Sequence, residues 1–227
     1  MVTSRRSIGV STAVLAAIVM TGFTVTSCAA PSTVQTKSPL HNKDGGKSET
    51  PIGSLAADAV KLVLKADLAF VAASELKPTR DPFPAGTASS DQIASVISYQ
   101  DDPLALLDLK GSTIRAALEK ALSIYPQPNL GFLQVAGVQV EFDPSKPSGN
   151  RVVSVKIGDS PLEDDRAYSV GVTNSMANGA LGYWKLWKAA DVKKRVADTS
   201  ITKAIEELFR SKSSIDYGKP LRIKAKQ

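Results

Sequence analysis

Apolar and polar positions follow two periodicities along this chain, and together they predict a mixture of helices and strands. Apolar residues spaced by three and four indicate an amphipathic helix, whereas strict alternation indicates a strand with one buried face. A Ser, Thr or Asp directly before such a stripe, or a proline in its first turn, marks where a helix begins. The helical pattern occurs in four segments. The first begins at Thr50-Pro51, the second begins at Ser90-Asp91 and ends near Val96, the third covers Ser112–Ser123, and the fourth follows Thr199 or Ser200.

Strand patterns fill most of the sequence between these helices. Short apolar or alternating segments bounded by Gly, Pro, Asn and Asp are typical of strands joined by turns. Because helices and strands are mixed without strict alternation, the pattern favours a single α+β domain over residues 49–227 rather than a doubly wound sheet. The predicted strands are ADLAFVAA, LALLDLKG ending at Gly111, VQVEFD, RVVSVKIG, AYSVGVT and PLRIKA.

The first 27 residues have the pattern of a secretory signal peptide. Arg5 and Arg6 precede an apolar segment that extends from Ile8 to about Phe23, too short and too early for a stable membrane span. The segment is followed by VTSC, which resembles a bacterial lipobox, and Cys28 is the only cysteine. We therefore expect Cys28 to become an acylated first residue that attaches the protein to membrane lipid in the cell envelope, on the outer face of a bacterial membrane. An ordinary signal peptide or a buried cysteine is the alternative.

Residues 28–48 are predicted to form a lipidated flexible tether, because they are rich in Pro, Ser, Thr, Gly and Lys and nearly lack large apolar residues. The only histidine, His41, lies in this segment, so residues 49–227 contain neither histidine nor cysteine. This composition argues against a metal site built from imidazoles and against a Ser-His or Cys-His nucleophilic pair. We expect no metal, no cofactor and no catalysis by this chain alone.

Charge and local acidic or aromatic groups add few candidate sites. The formal net charge of +6 is spread along the chain without a basic segment interleaved with aromatics, which argues against nucleic-acid binding. Asp101-Asp102 and Glu163–Asp165 are candidate acid–base or cation-binding groups, although solvated turns are the simpler interpretation. Tyr183 and the two tryptophans after it have helical spacing, which favours packing in the core over a stacking platform for a ligand.

The landmarks of residues 49–227, read in order, resemble the C-terminal domain of the 5′-nucleotidase family. They are ETPIGSLAADAV, ADLAF, PAGTASSDQI, LLDLKGSTIRAALEKAL and GFLQVAGVQVEFDPSKPSGNRVVSVKIGDSPLEDDRAYSVGVTNSMANGALGY. The resemblance implies an α+β domain with a four-layer α/β/β/α architecture that binds the nucleoside. In the full enzymes, a separate N-terminal metallophosphoesterase domain holds two metals and cleaves the phosphate. We expect this chain to lack that catalytic domain.

The resemblance also assigns candidate binding residues, most of which differ from the family pattern. At the N-x-G-G-x-R motif, Glu75 stands near the second glycine and Lys77 near the phosphate-facing arginine, for which Arg80 is an alternative. The loop NSMANGALGYW, residues 174–184, takes the place of the family's second aromatic and ribose-binding motif. The other assignments are Gln100 at the first stacking phenylalanine, Asp102 at the nearby asparagine, Ser175 at the second phenylalanine and Leu181 at the ribose-binding aspartate, with Gly137, Gly179, Gly182 and Tyr183 retained.

Two functions follow as hypotheses. The first is a membrane-tethered, non-catalytic ligand-binding or interaction module. The second is an accessory substrate-binding component in nucleotide catabolism that works with a separate metallophosphoesterase, in which Lys77, Arg80, Asp102 and Tyr183 would form a remodelled pocket for a nucleotide-like small molecule. Because both stacking rings and the ribose carboxylate are replaced, we expect adenosine to bind weakly or not at all.

Overall fold

Three β-sheets and five α-helices form the part of the chain that the computed structural model describes, which comprises Met1, residues 32–219 and residues 222–226. The predicted signal peptide and Cys28 lie outside the described residues. The helices are α1 (Pro51–Leu64), α2 (Ser90–Ala94), α3 (Gly111–Ala121), α4 (Asn174–Ala177) and α5 (Ile201–Ser211). The strands are β1 (Thr33–Thr36), β2 (Leu68–Ala72), β3 (Gly86–Ser89), β4 (Pro103–Lys110), β5 (Leu133–Ala136), β6 (Val138–Phe142), β7 (Val152–Ile157), β8 (Ser160–Pro161), β9 (Ala167–Thr173), β10 (Val192–Ser200), β11 (Ser214–Ile215) and β12 (Ile223–Ala225).

The central sheet has five strands in the order β10-β4-β9-β2-β5. Strands β2 and β9 are parallel, whereas β4 is antiparallel to β9 and β5 is antiparallel to β2. A four-stranded sheet has the order β12-β6-β7-β8, and a three-stranded sheet has the order β11-β1-β3. The predicted α+β class is therefore confirmed.

Strand β2 separates two hydrophobic cores. Because side chains alternate across a strand, Ala69 and Val71 join α1 and α5 in one core, while Leu68 and Phe70 face the other. That second core also contains the inner residues of α3 and of the four-stranded sheet. Both faces of β2 are buried, which explains why its sequence is apolar throughout instead of alternating.

Helix α1 begins and ends as its sequence predicts. The Thr50 side chain accepts a hydrogen bond from the Gly53 backbone N–H at 3.1 Å, and Pro51 occupies the first turn, where its missing N–H is not needed. At the other end, Lys65 takes a left-handed conformation with φ of 51° and closes the helix. The helices over Ser90, Ser112–Ser123 and the segment after Ser200 are also confirmed, to within one or two residues at each start.

The structure corrects the prediction of a flexible tether for the segment before residue 49. Residues 33–36 form β1, which pairs with β3 and β11, and Leu40 is completely buried. The Asn42 amide donates hydrogen bonds to the backbone oxygens of Leu76 and Lys77. The composition of this segment is misleading because strand pairing satisfies its backbone and one leucine anchors it, so a long apolar stretch is not needed. His41 is half-buried rather than fully solvated.

Strand β10 was not predicted, because VKKRVADTS has the polar composition of a loop. It lies at the edge of the central sheet and pairs only with β4, with two irregularities in register. Lysines and an arginine on an exposed edge are a common feature of strands that must not pair with another chain. The predicted strands corresponding to β2, β4, β6, β7, β9 and β12 are confirmed.

Candidate ligand-binding pocket

A pocket of about 340 Å³ opens where several strands of the central sheet meet at one edge. Because β2 and β9 are parallel, their C-terminal ends lie side by side, and β4 starts beside the end of β9, with Leu104 opposite Thr173. The chain segments that leave or enter these strands form the walls. We call this the Tyr99 pocket; it is lined by Ser74, Glu75, Tyr99, Leu130, Ser175, Met176, Ala180 and Leu181.

The rim of the Tyr99 pocket is apolar and open to solvent. Tyr99 exposes 60% of its surface, Leu130 68% and Leu181 38%. Exposed large apolar side chains that cluster around a concave surface are typical of a binding site rather than of an ordinary surface. The rim therefore offers flat and aliphatic faces to a ligand.

A second hollow of about 650 Å³ adjoins the pocket and shares Ser74, Tyr99 and Leu130 with it. Lys77 is exposed on its border, and its ammonium group donates a hydrogen bond to the Ser95 backbone oxygen at 3.2 Å. The shared residues form a ridge between the two hollows. A ligand that lies across this ridge can place a polar extension near Lys77.

Glu75 supplies a buried carboxyl group to the pocket wall. Its Oε2 accepts a hydrogen bond from the Ala72 N–H at 2.6 Å, and its Oε1 accepts one from the Thr173 hydroxyl. Burial raises the pKa of Glu75 to about 7, and the nearby charge of Asp102 acts in the same direction, while the two hydrogen bonds oppose the shift. The group is therefore divided between its neutral and ionised forms near neutral pH.

The loop after β9 has a rigid inner side and an exposed outer side. Gly179 has φ of 84°, and a Cβ there would lie 2.4 Å from the Trp184 Cβ, so this turn requires glycine. Tyr183 is fully buried, stacks on Trp187 at 4.8 Å between ring centroids, and donates a hydrogen bond to the Gly131 oxygen at 2.7 Å. Burial and the charge of Glu75 raise the pKa of Tyr183 above its usual value.

The predicted packing role of the aromatic cluster is confirmed for Tyr183 and Trp187, which are core residues. Trp184 instead exposes 63% of its surface, with the Lys185 ammonium group 5.4 Å from its ring centroid. Asp101 and Glu163–Asp165 lie in exposed segments, as the solvated-turn interpretation expects. Asp164 forms an ion pair with Arg115 at 3.0 Å, so part of the second acidic group has a structural contact.

The structure brings together some of the ten predicted binding residues. Ser175 and Leu181 line the Tyr99 pocket. Asp102 lies beside it, since its Oδ2 accepts a hydrogen bond from the Ser175 N–H at 3.3 Å, and Lys77 borders the adjoining hollow. Four of the predicted residues are thus in or next to one site.

The other predicted residues lie outside the pocket lining. The Gln100 amide turns away and donates to the Ala94 oxygen at 2.9 Å, and Arg80 is exposed without lining either hollow. Gly137 is in the turn between β5 and β6, where a Cβ would lie 2.3 Å from the Asp67 oxygen. Gly179 and Gly182 shape the loop backbone, with φ of 84° and 79°, and Tyr183 supports the loop from inside the core.

Sequence reasoning missed Tyr99 as a pocket residue. Counting back from Gly111 places Gln100, and not Tyr99, at the family's stacking position. The exposed aromatic next to Gln100 was the available signal, because a large aromatic in a segment otherwise rich in polar residues has no packing role to explain it. Ser74, Leu130 and Met176 gave no signal, since their types and spacing suit ordinary turns and cores.

A larger hollow of about 830 Å³ lies along α3 and the segment 146–152, away from the strand ends. Its charged groups are largely engaged: Arg115 pairs with Asp164, and the Glu119 carboxylate accepts hydrogen bonds from the backbone N–H groups of Arg151 and Val152. The contacts explain these side chains as parts of the fold. The Tyr99 pocket, with exposed apolar faces and a buried acid, is the stronger candidate site.

Comparison with known proteins agrees with the geometry. The family model for the "5'-nucleotidase, C-terminal domain" matches residues 28–188, well over half of the chain. This chain belongs to the 5′-nucleotidase C-terminal domain family. The match includes the segment before residue 49, in agreement with the ordered β1.

Curated relatives of this 5′-nucleotidase C-terminal domain include two animal enzymes. It is 34% identical to the 5′-nucleotidase of Homo sapiens over 106 residues. This aligned segment covers 43% of this chain and 18% of the relative. It is 33% identical to the 5′-nucleotidase of Diplobatis ommata over 109 residues. This aligned segment covers 44% of this chain and 19% of the relative. The chain thus spans about a fifth of the length of these relatives.

Solved structures confirm the fold of the domain. The 5′-nucleotidase precursor from Thermus thermophilus superposes with a TM-score of 0.74 at 27% identity, over 86% of this chain and 39% of that structure. The NAD nucleotidase of Haemophilus influenzae, at 16% identity and a TM-score of 0.70, shares the fold over 86% of this chain and 38% of that structure. In the described part of this 5′-nucleotidase C-terminal domain, no group of three His, Cys, Asp or Glu side chains is arranged to hold a metal ion. No helix of that part is long and apolar enough to span a membrane.

Proposed function

We propose that this chain is a lipid-anchored, non-catalytic binding protein of the cell envelope, and that its 5′-nucleotidase C-terminal domain binds a small aromatic, nucleoside-like ligand in the Tyr99 pocket. The observation that carries the proposal is the exposed Tyr99 ring at the rim of a pocket formed by the strand ends. Its location beside the loop 174–184 agrees with the position that the family resemblance gives to ligand contacts.

The lining of the pocket suits a planar ligand with a few polar groups. Tyr99 can stack on an aromatic ring, and Leu130 and Leu181 can cover its edges. Ser74 and Ser175 add hydroxyl groups that can orient the ligand. A single ring in place of two stacking rings implies a moderate affinity, because each base–aromatic contact is worth about 1–3 kcal/mol.

The proposal of a non-catalytic role rests on the composition of the pocket. A serine nucleophile requires a neighbouring base such as histidine or lysine. The residues that line the Tyr99 pocket include two serines and one carboxyl group, but neither of those bases. Such a lining offers polar contacts to a ligand and contains no Ser-His or Ser-Lys pair that would activate a serine nucleophile.

The proposal of a membrane anchor rests on the sequence, in which VTSC, ending at Cys28, follows two arginines and an apolar segment. The backbone oxygen of Ser32 already accepts a hydrogen bond from the Ser90 N–H at 2.8 Å. An extended chain from Cys28 to Ser32 reaches at most about 14 Å. An acylated Cys28 would therefore hold the domain at the membrane surface.

The anchor is tested with labelled fatty acid. Wild-type protein should incorporate the label and fractionate with membranes, and Cys28→Ser should do neither. Labelling of the serine variant would refute the anchor.

Two neighbouring residues provide a matched test of binding. Adenosine is titrated calorimetrically into the full-length chain in detergent, using wild type, Tyr99→Ala and Gln100→Ala. Because Tyr99 lines the pocket and Gln100 turns away from it, Tyr99→Ala should weaken binding about five- to a hundredfold, as expected for one stacking contact. Gln100→Ala should leave the affinity within about twofold.

The outcomes separate the pocket from its alternatives. Equal affinities of the three proteins would show that adenosine binds elsewhere. Weakening by Gln100→Ala alone would favour the family-derived register over the observed one. Absence of adenosine binding in every variant would contradict the nucleoside-like ligand class.

An accessory role in nucleotide breakdown is favoured by one observation, the exposed Lys77 at the border of the adjoining hollow. In this case a phosphate would lie near Lys77, and adenosine monophosphate would bind more tightly than adenosine. Lys77→Ala would remove that preference, because the ammonium group is the cation on this border. Equal binding of both compounds would argue against this role.

A further inference from the structure

The wall of the Tyr99 pocket contains one acid, Glu75. Glu75 follows the C-terminal end of β2 in a short 3-10 helix, Ala73–Glu75, and only 4% of its surface is exposed. Glu75 nevertheless belongs to the residues that line the pocket. A carboxyl group in this position is not freely solvated, so its charge acts on the pocket through a medium of low dielectric constant.

The hydrogen bonds of Glu75 hold its carboxyl group in place and leave acceptor capacity. Each oxygen has one protein donor, the Ala72 N–H for Oε2 and the Thr173 hydroxyl for Oε1. A carboxylate has about four lone-pair positions, so further donors can be accepted. The same Thr173 hydroxyl accepts a hydrogen bond from the Met176 N–H at 3.3 Å, which links Glu75 to another residue of the pocket wall.

Asp102 places a second acid next to the same wall. Its Oδ2 accepts a hydrogen bond from the Ser175 N–H, and its charge disfavours ionisation of Glu75. The phenol of Tyr183 also lies near Glu75, and it is neutral at physiological pH, since burial and the charge of Glu75 raise its pKa further above its usual value. Among the described residues, none of the ion pairs involves Glu75 or Asp102.

Lys77, on the same segment as Glu75, does not neutralise this wall. It is exposed and bound to the Ser95 oxygen at the adjoining hollow. An anionic group placed in the Tyr99 pocket would therefore meet two carboxyl groups, and no Lys or Arg is among the residues that line this pocket. An N–H or O–H group of a ligand would instead find unused acceptor positions.

We propose that Glu75 is a specificity-determining residue, which makes the Tyr99 pocket select neutral or cationic ligands carrying N–H or O–H donors and reject anionic ones such as phosphorylated nucleosides. This inference rests on the proposed binding function of the pocket. The ligand class proposed for this site excludes the phosphate esters on which the family's enzymes act.

The test compares a neutral and an anionic probe of the same shape at pH 6 and pH 8. The probes are adenosine and its 5′-carboxylic acid derivative, whose charge is constant over this range, whereas a phosphate monoester titrates near pH 6. Calorimetry is performed on the full-length wild type and on Glu75→Gln, which keeps the size of the side chain and one acceptor oxygen but carries no charge. Thermal unfolding verifies that both proteins are folded.

The expected result follows from the ionisation of Glu75 between these pH values. In wild type, the affinity for the carboxylate probe relative to adenosine should fall about tenfold from pH 6 to pH 8, as expected for one charge–charge interaction in a partly buried site. In Glu75→Gln, this ratio should stay constant and the carboxylate probe should bind more tightly than to wild type at pH 8. A purely structural role of Glu75 would weaken both probes equally.

A second variant keeps the proposal testable if Glu75→Gln does not fold. Asp102→Asn removes the neighbouring charge, so Glu75 should ionise at lower pH and the ratio should fall less between pH 6 and pH 8 than in wild type. A ratio that does not change with pH in wild type, or that changes equally in wild type and Glu75→Gln, would overturn the role of Glu75 while leaving the binding site in place. Failure of both probes to bind any variant would overturn the binding function itself.

Discussion

Two tyrosines near the pocket have opposite surroundings. Tyr183 is fully buried, its ring stacks on Trp187, and its hydroxyl donates to the Gly131 backbone oxygen. Tyr99 exposes 60% of its surface at the pocket rim. The first tyrosine is fixed by the packing of the protein itself, whereas the second has a free face that only a ligand would cover.

This contrast extends to the other residues of each region. Gly137 and Gly179, which match the family pattern, occupy backbone positions where a side chain would collide with neighbouring atoms. Ser175 and Leu181, which depart from the pattern, line the pocket. Packing constrains the framework behind the pocket, whereas the exposed residues of the rim have fewer contacts within the protein. A change of ligand therefore alters the rim and leaves the framework intact.

The largest expected effect concerns the framework. Gly137→Ala should lower the free energy of unfolding by about 3 kcal/mol, because Gly137 has φ of 73° and a Cβ would lie 2.3 Å from the Asp67 oxygen. Gly149→Ala is the matched control, since Gly149 has φ of 89° with open space around it and should lose only about 1 kcal/mol. Urea unfolding of both variants measures the difference.

The difference between the two glycine variants isolates the cost of the close contact, because both replace a glycine of positive φ. Equal destabilisation would mean that the turn between β5 and β6 relaxes away from Asp67 at little cost. In that case the retention of Gly137 could not be explained by packing, and the comparison of framework and rim would lose its main support.

A smaller effect is expected for the two tyrosines. Tyr183→Phe should lower the free energy of unfolding by about 1–2 kcal/mol, since the Gly131 oxygen would lose its buried hydrogen-bond donor. Tyr99→Phe should change it by less than about 0.5 kcal/mol, because the side chain is exposed. Thermal unfolding at one pH compares the variants. A larger loss for Tyr99→Phe than for Tyr183→Phe would reverse the assignment of framework and rim.

The sequence predicted the framework better than the site, because the framework is fixed by packing within the protein. The cap at Thr50, the apolar segment of β2 and the alternation in β6 and β7 follow from local rules that the structure obeys. Strands β1 and β10 were missed because their pairing depends on partners distant in sequence. Their own composition is polar, and local patterns do not reveal such pairing.

Within the site, the predicted stacking position differs by one residue from the position that the structure places in the pocket. Counting along the family motif selected Gln100, but the chain turns so that Tyr99 faces the pocket and the Gln100 amide bonds to Ala94. The direction of a side chain in an irregular segment depends on backbone angles that no periodicity specifies. Burial of Glu75 was equally beyond local rules, because it depends on Thr173 and Ala72 meeting around its carboxyl group.

The smallest expected effect tests whether the rim is shaped for a ligand. Leu181 has φ of 58° and ψ of 23°, a left-handed conformation that leucine rarely adopts, and 38% of it is exposed. Asparagine tolerates this conformation better, so Leu181→Asn should stabilise the protein by about 0.5 kcal/mol. Leu130→Asn is the control on the same rim, because Leu130 is exposed but has no positive φ, and it should give no gain.

The informative result is the combination of stability and binding for these leucine variants. If Leu181→Asn unfolds at a higher urea concentration than wild type but binds adenosine more weakly, the strained leucine is kept for its contact with the ligand, as is common for strained residues at functional sites. If it gains stability without losing affinity, Leu181 does not contact the ligand, and the exposed face of the loop has another role. Loss of stability in Leu181→Asn would instead place Leu181 with the framework, since the packing of its side chain would then outweigh the backbone strain.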